Sequence, residues 1–89
     1  MKTLQNFRKE IDVVDSDICK LIAKRFAITH KVGIYKSKNN IKAEDKKREA
    51  EIMEVLDKKA MKLKINSIML RKIFKIIIKE AKKNHKKIR

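Results

Sequence analysis

Arg25 stands where a leucine would be expected. Leu21, Ile28, Val32 and Tyr35 fall at helical spacing and form one apolar stripe, with Arg25 inside it and Lys36 one turn after Val32. A buried charge without a partner is costly, so Arg25 needs a carboxylate. That carboxylate is either internal, such as Glu49, or part of a ligand. Other charged groups point the same way. Asp45, Arg48, Glu49 and Ile52 share a face by the three-and-four rule. Phe74, Ile78, Ala81 and His85 share another, with His85 one turn past the last apolar position. Arg8 sits beside Phe7, near the start of the first stripe. The chemistry of such a set is a grip on an anion. Read singly, each residue has a plainer role: Arg8 as a surface charge, Asp45–Arg48–Glu49 as a helix start, His85 as a tail residue, Lys36 as a snorkelling end.

Three helices must position these groups. The first is predicted from about Thr3 to Ser37. Phe7, Ile11, Val14, Ile18, Leu21, Arg25, Ile28, Val32 and Tyr35 recur by fours and threes along it. Gly33 lowers local propensity without stopping the pattern. "SKNNIKAED" breaks it, because paired Asn favours turns. A second helix is predicted to start near Ala43 to Asp45, with Ile52, Val55, Leu56 and Ala60 inward. It fades around "KLKINS", where Asn66 or Ser67 would cap a third helix. That helix turns Leu70, Ile73, Phe74, Ile77, Ile78 and Ala81 inward and ends in a basic stretch, 86–89, expected to fray.

The fold class is all-α, and residues 1–89 form one domain. There is no Pro and one Gly, which removes most helix breakers. A first helix about 50 Å long would overhang a compact monomer about 30 Å across. Its seam continues almost to its end, so a second copy should cover it, giving an intertwined homodimeric bundle. The plain alternative is a helix broken near Gly33 and a monomeric bundle.

The formal net charge is +15, which favours anionic partners. The lysines are spread along the whole chain, as on a solvated basic surface. No apolar stretch is long enough to span a bilayer. The opening "MKTLQNFRKEID" lacks an apolar signal core, so a cytoplasmic protein with no membrane partner is expected. The single Cys19 lies among apolar residues and reads as a small buried hydrophobe.

Taken together, these residues resemble a family. A-x-R at Ala23 to Arg25, V-G-x-x-K at Val32 to Lys36 and D-x-x-R-E at Asp45 to Glu49 are similar to motifs of the all-helical chorismate mutases. Arg8 in "FRKEID", the following "DVVDSDI" and "IFKIIIKEA" fit the same pattern, from about Leu4 to His85.

The resemblance implies an isomerase of the shikimate pathway that converts chorismate to prephenate, toward phenylalanine and tyrosine. Two entwined chains would form two equivalent sites. The reaction is an intramolecular Claisen rearrangement of a dianion and needs no cofactor and no metal. Arg25 would pair with one substrate carboxylate, and Arg8 would reach the other from across the dimer. Lys36 would hydrogen-bond the ether oxygen. Glu49 and the backbone at Asp45 would hold the ring hydroxyl, and Arg48 would support the site. Val32, Ile52 and Ile78 would be apolar walls. Two positions depart from the pattern. His85 stands where the family has glutamine or glutamate, as second donor to the ether oxygen. Ala81 stands where some members have a serine contacting a carboxylate.

Three readings compete with the mutase, one of them a purely structural dimerisation module, which explains the seam but not the inward charges. Isochorismate-pyruvate lyases share the fold and the lysine–arginine framework, and D-x-x-R-E with Lys36 fits the mutase more fully. A basic helical module could bind nucleic acid through phosphates. Against it stand the missing recognition motif, aromatic residues at only 4% and basic residues that are not gathered on one segment.

Overall fold

The computed structural model describes residues 1 and 3–88. Helix α1 spans Leu4–Lys38, α2 spans Lys46–Leu63 and α3 spans Ser67–Ile88. No strand occurs among the described residues.

Each helix begins where a side chain satisfies its free N–H groups. The Asn6 N–H donates to Thr3 Oγ1 (3.2 Å), and the Thr3 N–H donates back to Asn6 Oδ1 (3.0 Å), closing a capping box. Asp45 caps α2 by accepting from the Arg48 N–H (3.0 Å). Asn66 caps α3 by accepting from the Met69 N–H (2.9 Å). Both breaks close with a residue in the left-handed region, Asn40 (φ 54°) after α1 and Lys64 (φ 58°) after α2. After Lys64, the Ile65 N–H donates to the Ala60 carbonyl (3.0 Å). α1 runs unbroken through Gly33.

α3 is the central element and packs against both α1 and α2. The buried apolar side chains are Leu56 and Ala60 from α2 and Ile77, Ile78 and Ala81 from α3. Val55 and Ile73, expected inward, are 48% and 42% exposed. Apolar periodicity marks their helix face, but the buried contact is made by their neighbours Leu56 and Ile77. Cys19, expected to be buried, is exposed, as is every residue of α1 from Leu4 to Leu21.

The chain measures 58 × 24 × 14 Å with a radius of gyration of 16.5 Å. A compact chain of this length would have about 12 Å. The difference is α1, whose 35 residues extend about 52 Å. Along its first half Ile11, Val14, Ile18 and Leu21 are 48–65% exposed. The basic end expected to fray is helical through Ile88, and Arg89 lies outside the described residues. No helix among the described residues is long and apolar enough to cross a membrane.

Candidate active site

A cleft of about 260 Å³ opens where the second half of α1, the start of α2 and the second half of α3 converge. α1 contributes Arg25, Val32 and Lys36; the start of α2 contributes Asp45, Arg48, Glu49 and Ile52; α3 contributes Ile78, Ala81 and His85. Three helical faces, each read from periodicity alone, thus meet at one place. Arg8 does not join them. It is exposed on α1, 17 positions before Arg25, or about 25 Å along the axis.

The electrostatics are lopsided. Arg25, Lys36, Arg48 and Lys82 line the cleft against Asp45 and Glu49. Arg25 Nη1 is buried and has no hydrogen-bond partner. Its guanidinium carbon lies 5.9 Å from the centre of the Phe74 ring, within reach of a cation–π contact. Burial, and then the nearby Arg48 charge, push the Arg25 pKa below its ordinary value. The internal carboxylate considered for Arg25, Glu49, is engaged elsewhere. Both of its oxygens accept from Lys82 Nζ (3.3 and 3.4 Å).

Lys36 Nζ donates to the Ala43 carbonyl (3.4 Å), folding the side chain over the turn before α2. The Asp45 carboxylate is occupied as the α2 cap. Arg48 reaches Glu51 at 3.6 Å, with both side chains largely exposed.

His85 is buried at 6% exposure. Its Nε2 lies 2.7 Å from the Thr29 carbonyl oxygen. A carbonyl only accepts, so Nε2 carries the proton and donates. Nδ1 is buried without a partner. In the neutral ring Nδ1 is an acceptor, and only the imidazolium offers an N–H there. The ring fits because Gly33 faces it with no side chain: a Cβ at Gly33 would stand 2.6 Å from His85 Cδ2.

Sequence reasoning missed Lys82, Thr29, Ile28 and Ala43 on the cleft wall. Lys82 could have been found four residues after Ile78, but one lysine among so many reads as solvated surface. Thr29 acts through its backbone carbonyl, which residue type does not announce. Lys82 also reaches Glu44 (3.4 Å). The Glu49 carboxylate, foremost, holds its ammonium above the usual lysine range, against a smaller lowering by burial.

Comparison with known proteins gives the family of the chain. The chorismate mutase type II family model matches residues 7–86. The bifunctional chorismate mutase/prephenate dehydratase of Buchnera aphidicola subsp. Schizaphis graminum is 33% identical over 85 residues, 96% of this chain and 22% of that protein. Its counterpart from Buchnera aphidicola subsp. Acyrthosiphon pisum is 32% identical over 82 residues, 92% of this chain and 21% of that protein. The bifunctional enzyme of Aquifex aeolicus is 39% identical over 54 residues, 61% of this chain and 15% of that protein. The chain therefore spans about a fifth of the length of the first two relatives. A match over nearly all of a three-helix chain, with the charged faces gathered at one cleft, places this protein in the chorismate mutase type II family.

Proposed function

We propose that the chain catalyses the rearrangement of chorismate to prephenate, as a cytoplasmic homodimer. The observation that carries this reading is Arg25: a buried, partnerless Nη1 in a cleft with more cations than carboxylates. Such a site is built for an anion to complete it.

The rearrangement is unimolecular. The C–O bond breaks ahead of C–C bond formation, so the ether oxygen gains negative charge. A protein accelerates it by holding the compact reactive conformer and by aiming fixed donors at that oxygen. Arg25 takes one carboxylate through its planar fork. Lys36 leaves its long contact with the Ala43 carbonyl and donates to the ether oxygen. His85 Nδ1, buried and without a partner, is the second donor when it carries a proton. Glu49 and the backbone at Asp45 receive the ring hydroxyl, and Arg48 adds positive potential. Val32, Ile52 and Ile78 form apolar walls. Ala81 offers no hydroxyl, so one carboxylate is held by cations alone.

The second carboxylate is met by Arg8 of the other chain. Two facts support the dimer. Arg8 is too far along α1 to serve its own cleft, and the first half of α1 exposes Ile11, Val14, Ile18 and Leu21. A second copy laid along that seam covers it and brings its own Arg8 toward the cleft.

The test is direct. The purified protein is mixed with chorismate, loss of ultraviolet absorbance is followed and the product is identified by NMR. Prephenate is expected, with Arg25→Ala inactive. Pyruvate plus salicylate from isochorismate would instead indicate the lyase, and no turnover of either would overturn the reading.

A further inference from the structure

Two carboxylates line the cleft with Arg25: Asp45, which caps α2 through Oδ1, and Glu49, which Lys82 holds through both oxygens. Glu49 and Arg25 line the same space from α2 and α1. Glu49 is bound through both oxygens to Lys82 Nζ on α3, at 3.3 and 3.4 Å. The pair is sheltered, with the two side chains 28% and 30% exposed. Glu44, in the turn before α2, anchors the same ammonium from the outer side at 3.4 Å. Asp45 is committed to capping α2. Arg25 is thus left with a buried Nη1 and no partner.

We propose that Lys82 is a positioning residue: by holding Glu49 on the α3 side of the cleft, it keeps Arg25 open for an anionic ligand and presents Glu49 as a fixed acceptor. The ligand's identity rests on the mutase reading above. The competition between Lys82 and Arg25 for Glu49 does not.

Without Lys82, Glu49 is left in the same cleft as a partly desolvated guanidinium that Arg48 already repels. A charge-assisted pair between them is then favoured over leaving both open. An incoming carboxylate must displace Glu49 first, and its apparent affinity falls by the fraction of chains with Arg25 still open. If nine chains in ten hold the internal pair, affinity falls about tenfold. Glu44 gives the Lys82 ammonium a second carboxylate partner.

The experiment uses the full chain and compares Lys82→Met, Lys82→Arg, Glu49→Gln and the double variant Lys82→Met/Glu49→Gln. The first readout needs no substrate: the Arg25 side-chain Nε–Hε signal in 15N NMR of the ligand-free protein. In Lys82→Met it is expected to shift and exchange more slowly with solvent as the internal pair forms. Lys82→Arg and the double variant are expected to stay close to the parent protein. The second readout is steady-state kinetics. Lys82→Met is expected to raise KM about tenfold with kcat within about twofold, and Lys82→Arg to restore KM. In the Glu49→Gln background, Lys82→Met is expected to leave KM where Glu49→Gln alone puts it.

A Lys82→Met protein with native helicity and an unmoved Arg25 signal would overturn the proposal. So would a KM increase that persists in the Glu49→Gln background, which would make Lys82 a direct ligand contact. A simple structural role lowers the melting temperature and leaves the Arg25 signal in place, again overturning it. If Lys82→Met does not fold, Lys82→Gln is read by the same criteria. If the parent protein does not turn over chorismate, the mutase reading fails, and the Arg25 spectrum still decides the role of Lys82.

Discussion

Gly33 and His85 are fitted to each other across the α1–α3 contact. A Cβ on Gly33 would lie 2.6 Å from His85 Cδ2 and 2.8 Å from Ile88 Cδ1. The Ile88 methyl can swing away, but the ring is held by its bond to the Thr29 carbonyl. Helix propensity alone would make Gly33→Ala stabilising by about 1 kcal/mol. Overpacking costs about 1–3 kcal/mol and should win. Gly33→Ala is expected to lower the urea midpoint at unchanged m-value and to reduce turnover. A variant more stable than the parent would show that the ring is free to move.

Arg25 is expected to oppose stability in the free protein. It is partly desolvated, feels Arg48 and has no carboxylate. Arg25→Met keeps the apolar stem over Phe74 and removes the charge. The melting temperature without ligand is expected to hold or rise, while kcat/KM falls by at least about a hundredfold. Loss of both stability and activity would mean that the guanidinium has a structural partner.

Complementation tests the shared site. Arg8→Ala and Arg25→Ala proteins are each expected to be inactive and dimeric by sedimentation. After unfolding and refolding together, half of the dimers should be mixed. Each mixed dimer would hold one site with both arginines, restoring about a quarter of the parent activity. No recovery in verified mixed dimers would show that Arg8 does not serve its partner. Ile18→Glu is expected to shift the protein toward monomer and to make melting depend more steeply on concentration.

The α2–α3 ion pair predicts a stability change with acid. Arg71 donates to Asp57 from Nε (2.7 Å) and Nη2. These hydrogen bonds hold the Asp57 carboxyl below its usual range. A depressed native pKa means that the pair's contribution is present above the unfolded carboxylate pKa and is lost as pH falls through the native one. Asp57→Asn is therefore expected to melt lower than the parent at neutral pH, and the two curves should converge on acidification. The pair is exposed, so the gap should be small and shrink in high salt.

Much of this protein was determined by its sequence alone. The three helices, a first start near Thr3, a second within Ala43 to Asp45 and a third capped by Asn66 or Ser67 follow from periodicity and short-range hydrogen bonding, which involve neighbours within one or two turns; the structure chose Asp45 and Asn66. The faces carrying Arg25, Lys36, Glu49 and His85 follow from the same local rule, since a helix fixes which residues share a side. Tertiary structure decided what local rules cannot reach. Glu49 pairs with Lys82 and leaves Arg25 open, because pairing depends on distances between three helices. His85 takes its tautomer from a backbone carbonyl, a group every residue carries. Gly33 matters for the ring opposite it and not for helix geometry. Val55 and Ile73 are exposed, because apolar periodicity marks a face without saying which surface covers it.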